Sequence, residues 1–204
     1  MSPRTKEQNE AIREARIRQI LLAAADVYLT RGMAFEMRDV AAHAGLGYGT
    51  VYHYYSNKYQ LFRDLLLSAL DAAADLTERA LSGRGKARER LRTLAVGLLK
   101  LWVEEPMVFI LYKMASENFH QLPSGSAGEL PERFEAELYQ PVAEALREAT
   151  GDANALDAAN VLIGSLIGSA GLWLYHRQAG MDAERTADLL FEGIARQTDD
   201  REER

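Results

Sequence analysis

The stretch MRDVAAHAGLGYGTVYHYYSNK, residues 37–58, decides how the chain is read. Val40, Ala41 and Ala44 recur at helical spacing over Arg38 to Ala44. Gly45 follows where such a helix should stop, because glycine takes a left-handed backbone without steric cost. Gly47 to Tyr55 then reads as a second short helix, with Val51 and Tyr55 turned inward. Its other face carries Tyr48, Thr50, Tyr52, His53 and Tyr54, aromatic and hydrogen-bonding groups with no acid among them. Two short helices joined by a glycine turn form a helix-turn-helix, whose second helix enters the DNA major groove. Ser56 is expected to cap a third helix beginning at Asn57-Lys58, and a helix N-terminus beside a lysine suits a phosphate group.

Working outward, the stretch resembles the DNA-binding domain of the TetR family of bacterial one-component transcriptional regulators. Arg38, Val40-Ala41, Ala44-Gly45-Leu46, Gly49-Thr50-Val51-Tyr52, Tyr54-Tyr55, Asn57-Lys58 and Leu61-Phe62 carry the match, which spans roughly residues 14–66. The resemblance implies that Arg38, Tyr48, Thr50, Tyr52 and Tyr54 face DNA and that Lys58 contacts phosphate, with His53 beside them on the same helix. One departure stands out: Glu36 occupies the N-cap position before Met37, where many members have Thr. A glutamate caps poorly, since its acceptor lies one carbon further out.

The charge is distributed to match. Of 24 Lys/Arg and 30 Asp/Glu, residues 1–58 hold 8 and 6 and residues 59–204 hold 16 and 24. A net +2 head on a −8 body offers phosphate one face only. With 48% hydrophobic and 26% charged residues the chain is globular. It has no cysteine, which excludes disulfides, thiolate metal sites and a cysteine nucleophile, and suits the cytoplasm. The first residues contain no apolar signal-peptide core. The four histidines, 43, 53, 120 and 176, show no metal-ligand spacing. No nucleophile-elbow, P-loop or dinucleotide motif appears, so the reading is no enzyme, no metal and no cofactor.

The rest reads as helices, giving an all-α chain of about nine: a three-helix helix-turn-helix domain at 1–58 and a helical bundle at 59–204. A helix from Glu7 or Ala11 to Arg31 buries Ile17, Ile20, Leu21, Ala24, Val27 and Tyr28. The next long helix runs from Asn57 to about Leu81 and ends before Ser82-Gly83-Arg84-Gly85. Further helices are expected over Lys86–Glu105, from Pro106 to Asn118, over Glu132–Thr150, over Ala153–Arg177, and from Asp182 to about Gln197. Ala158 to Tyr175 is uncharged but interrupted by Gly and Ser, and reads as a buried helix, not a membrane span.

Gly164 with Ser165 and Gly168 with Ser169 place small residues four apart on that helix, which allows close helix contact. The resemblance implies a homodimer formed by the last two helices, and so a palindromic operator in double-stranded DNA. It also implies an effector cavity among the helices carrying Trp102, Met107, Phe109, Tyr112, Met114, Trp173 and His176, which suit an apolar or aromatic small molecule. The expected function is a ligand-responsive transcriptional repressor. An activator or architectural DNA-binding protein without an effector, or an all-α enzyme or interaction module, are the alternatives.

Overall fold

The computed structural model describes residues 5–151, 153–176 and 180–202, with side chains described as far as Glu192 and without that of His176. Among the described residues there are nine helices and no strand. Helix α1 spans Lys6–Arg31, α2 Met37–His43, α3 Tyr48–Tyr54, α4 Lys58–Leu81, α5 Ala87–Glu104 and α6 Pro106–Ser116. Leu130–Phe134, Glu135–Tyr139 and Gln140–Thr150 form one continuous helix, α7. Helix α8 spans Ala155–His176 and α9 Ala183–Glu202.

Local chemistry sets the ends of these helices. Thr5 Oγ1 accepts from the Gln8 N–H at 3.2 Å while the Gln8 side chain accepts from the Thr5 N–H at 3.1 Å. This reciprocal cap starts α1 one residue before the earlier of the two expected starts. Gly32, at φ +58°, ends α1 after Arg31 as expected. After α2, Leu46 N–H bonds back to the Ala41 carbonyl (2.9 Å) and Gly45 N–H to that of Ala42 (3.2 Å). This closure needs the left-handed φ of +66° at Gly45. The Glu36 departure is compensated: the Asp39 carboxylate accepts from the Glu36 N–H at 2.9 Å, so the first turn of α2 is tied from its other side.

Ser56 does not cap α4. Asn57 does, its Oδ1 accepting from the N–H groups of Tyr59 and Gln60 at 3.0 Å each. Asn57 is the residue directly before the first helical residue, Lys58, and Ser56 instead donates to Gln60 Oε1 at 2.9 Å.

Helix α7 is expected to be regular but contains a π turn at Glu135–Tyr139, with the Gln140 N–H bonded to the Glu135 carbonyl five residues back. Pro141, next in the chain, brings no N–H to the helix ladder. Helix α6 stops at Ser116, short of Asn118. Asn118 and Phe119 instead turn left-handed, at φ 51° and 53°, and the Phe119 N–H reaches the Met114 carbonyl at 2.8 Å.

Helix α4 runs through the middle, packed on α1 at one end and on α5, α6 and α7 along its length. Phe62, fully buried, holds the N-terminal end together: its ring lies 4.8 Å from Tyr28 of α1 and 6.2 Å from Phe35 of the linker into α2. Burial raises the Tyr28 hydroxyl to about 12. Helix α9 is clamped to α5 by Arg92, which meets Asp188 at 2.6 Å and Glu184 at 3.1 Å. Among the described residues one stretch, Ala155–Tyr175, is long and apolar enough to cross a membrane by length and composition, and it packs here against α5, α6 and α7.

Phe62→Ala removes the ring shared by α1, the linker and α4. It should cost about 3–5 kcal/mol in urea unfolding. A loss below about 1 kcal/mol would mean that the junction is held by something else.

Candidate nucleic-acid interface

Helix α3 is two turns long and is anchored on one side only. Val51 is 0% exposed and Tyr55, just past its end, is 3% exposed. At 100° per residue their common direction lies opposite Gly49 and His53. Those two therefore form the outer ridge, with Tyr48 and Tyr52 on one flank and Thr50 and Tyr54 on the other. No atom stands within 4 Å of a Cβ built on Gly49, so the ridge is open to a partner at that point.

Six of the seven expected DNA-facing residues separate into two groups. Arg38, Tyr48, Tyr52 and Lys58 line one open groove of about 740 Å³, with Glu36 and Asn57 at its edges. Tyr48 and Tyr52 stack at 4.5 Å between ring centroids, 54% and 40% exposed. The hydroxyl of Tyr48 is raised above its ordinary value, first by its hydrogen bond with Tyr52. His53 and Tyr54 line a second groove of about 410 Å³ against α1, beside Asn9 and Arg13. Their rings meet edge-on at 5.4 Å. Thr50 is exposed and lines neither.

Arg38 is the most accessible cation of the set. Its only described partner is Glu36 at 3.0 Å, with both side chains exposed, and such a pair is worth about 0–1 kcal/mol. It can leave that pair for a phosphate or for the O6/N7 edge of a guanine at little cost. Lys58 is placed differently. Its Nζ donates to the carbonyls of Met33 at 2.8 Å and Phe35 at 3.3 Å, and sits 5.6 Å from the Phe35 ring centroid. Two of its three donors thus bind the linker into α2, and Asn57 takes the second and third N–H groups of α4. Groups expected to meet phosphate at this helix start thus also bind within the chain.

Two further contacts fix the reader against α1. Gln19 Nε2 donates to the Ala44 carbonyl at 2.7 Å, and His43 meets Asp26 at 3.0 Å. Neither follows from helical periodicity, because both join polar atoms across elements.

The expected effector residues are divided. Trp102, Met107, Phe109 and Met114 are at most 4% exposed and belong to the core. Trp102 packs at 5.8 Å from Phe109 and 5.1 Å from Tyr112. Tyr112 lines a cavity of about 460 Å³ between α6, α7 and α8, together with Asn118, Phe119, Phe134, Glu135, Tyr139 and Asn160. Trp173 instead lines a groove beside Asp26 and His43, and the side chain of His176 lies outside the described residues. Sequence periodicity misses Phe119 and Tyr139, because the left-handed pair and the π turn set which way they face, and it does not single out Phe134 or Asn160 for this wall. Of the expected dimer residues, Gly164 and Gly168 are exposed and Ser165 and Ser169 half-buried. A Cβ on either glycine would meet nothing within 4 Å. Val161 (63% exposed) and Leu172 (61%) share the same helix, and Leu189 (62%) stands on α9.

Lys58→Gln should lower the unfolding free energy by about 1.5–3 kcal/mol, the worth of charged hydrogen bonds to the linker. Arg38→Ala and Tyr52→Phe should stay within about 0.5 kcal/mol of the parent. Equal, negligible effects of all three in thermal and urea unfolding would return Lys58 to a purely DNA-facing role.

Residues 20–65 match the family described as bacterial regulatory proteins, tetR family. No protein of curated function matches the chain. Among solved structures, the ketosteroid transcriptional regulator KstR2 of Mycobacterium tuberculosis has a TM-score of 0.73 at 17% identity, over 88% of this chain and 92% of that one. AibR in complex with isovaleryl coenzyme A and operator DNA gives 0.69 at 20%, over 85% and 94%. A gamma-butyrolactone receptor (ArpA-like protein) gives 0.63 at 24%, over 88% and 97%. Residues 20–65 are therefore a TetR-family helix-turn-helix domain, set in a chain with the all-α fold of TetR-like transcriptional regulators.

Proposed function

We propose that the protein is a homodimeric, ligand-responsive transcriptional repressor that acts in the cytoplasm, without catalytic activity. Residues 1–58 read DNA, and residues 59–204 bind the effector and form the dimer. The observation that carries this reading is the groove shared by Arg38, Tyr48, Tyr52 and Lys58 beside the open ridge of α3. A helix held from behind by Val51 and Tyr55, with a mobile cation and aromatic hydroxyls in front, is what major-groove reading requires.

The exposed strip Val161, Gly164, Gly168 and Leu172, with Leu189 beside it, is the dimer face. Two readers related by a twofold axis then meet a palindromic operator, with half-sites separated by about 34 Å or a multiple of it. The cavity of about 460 Å³ is of the size that holds small organic ligands, and its wall is connected to α4. Arg133, one residue from Phe134 in that wall, meets Asp71 of α4 at 2.9 Å. A ligand that prefers one setting of α7 thereby prefers one setting of α4 and of the reader at its start. The AibR structure named above contains both a small ligand and operator DNA, which supports a protein of this fold using the two together.

The test is binding to DNA flanking the protein's own coding sequence, at 50 and 200 mM salt, with stoichiometry. A dimer should bind one sequence-specific site, and affinity should fall by at least about tenfold with salt. Binding to no DNA at either salt would refute the reading, and binding only to sites from a random pool would keep the reading and place the operator elsewhere.

Gly168→Arg places a charge on the proposed dimer face where a monomer has open space. It should sediment as a folded monomer and lose at least about a hundredfold in operator affinity. An unchanged dimer would put the interface elsewhere.

A further inference from the structure

The cavity between α6, α7 and α8 has a definite electrostatic character. Among the described residues lining it, Glu135 is the one charged side chain, and no lysine, arginine or histidine is present. The cations nearest in sequence are committed to other carboxylates. Lys113 pairs with Glu117 at 3.2 Å, and Arg133 pairs with Glu137 at 2.7 Å and Asp71 at 2.9 Å. The remaining walls are rich in aromatic rings. Phe134 stands edge-on to Tyr112 at 5.2 Å and to Phe119 at 6.4 Å between centroids, and Tyr139 stands one turn further along α7. The Tyr139 hydroxyl donates to Asn160 Oδ1 at 2.7 Å. Its titration is raised by burial and then by the nearby carboxylates of Glu135 and Asp157, so the field at this wall is negative.

An anion brought here would be desolvated with no counter-charge and would face a carboxylate. A cation would exchange water for aromatic faces and Glu135. The π turn at Glu135–Tyr139 puts the acid and two of the rings at its ends on the cavity wall. The acidic body, with 24 Asp/Glu against 16 Lys/Arg over residues 59–204, adds to the same preference at longer range.

We propose that this cavity takes an organic cation with an apolar, aromatic or alicyclic body, and that Glu135 with Phe134, Phe119 and Tyr139 selects its charge. This rests on reading the cavity as the effector site. It separates this chain from the ligand named for AibR, since a coenzyme A thioester carries phosphates.

Tetraphenylphosphonium and tetraphenylborate share size and shape but differ in the sign of their charge. Each is titrated calorimetrically into the full chain, without DNA. The phosphonium should bind at least about tenfold more tightly than the borate. Glu135→Gln should weaken the phosphonium about fivefold, and Phe134→Leu should weaken it further. Glu135 is exposed, so its variant keeps the fold, checked by circular dichroism. Equal or tighter binding of the borate, no binding of either ion up to 1 mM (about −4 kcal/mol), or an unchanged phosphonium affinity in Glu135→Gln would each overturn the proposal. Phosphonium binding as expected without release of bound operator would leave the proposal standing and refute the effector reading.

Discussion

Phe62 couples parts of the chain that have little else in common. Its ring lies against Tyr28 of α1 and near Phe35 of the linker, while its backbone belongs to α4. Lys58, one turn earlier, seizes the carbonyls of the same linker. The start of α4 is therefore not a free helix end projecting from the reader but part of the reader's own core. Any rotation or tilt of α4 is delivered to α2 and α3 without an intervening flexible joint. The close-packed interior allows this: packed aromatic rings transmit displacement where a solvated loop would absorb it.

At the far end, the same helix is gripped through polar contacts. Asp71 meets Arg133 of α7, and Leu81 gives its carbonyl to Arg90 Nη1 of α5 at 2.6 Å. These polar contacts add to apolar packing that continues along the helix through Leu65, Leu66, Ala69, Leu70 and Ala73. Exposed ion pairs exchange at little free-energy cost, whereas a buried ring cannot leave its site without a large one.

What the sequence made legible follows the reach of each signal. The helix-turn-helix was readable because its determinants are local: Gly45 supplies the left-handed turn, and Val51 and Tyr55 return at helical spacing. The inventory of helices was readable for the same reason, through Gly32, Gly151 and Pro106 at their ends. The cavity was not. Trp102, Met107, Phe109 and Met114 have the size and softness of ligand contacts, yet a large apolar side chain fits a core equally well, and here the core has them. The wall of the cavity between α6, α7 and α8 depends on Asn118 and Phe119 turning left-handed and on a π turn ahead of Pro141, neither of which has a strong residue code. Lys58 shows the same limit: a lysine beside a helix start reads as an anion contact, and the linker carbonyls that it also binds are not legible in the sequence.

The π turn also bears on how such a chain diverges. A π turn takes up one residue more than the α-helical phase requires, and it does so over Glu135–Tyr139. Removing a single residue there would restore a regular helix, turning everything on one side by about 100° relative to the other. Leu138 and Val142 would leave their buried positions, or Phe134 and Glu135 would leave the cavity. A one-codon insertion or deletion at this point can thus remodel the wall of the cavity while the remaining helices keep their register. The segment is a place where lineages sharing one reader and one bundle can part in what they recognise.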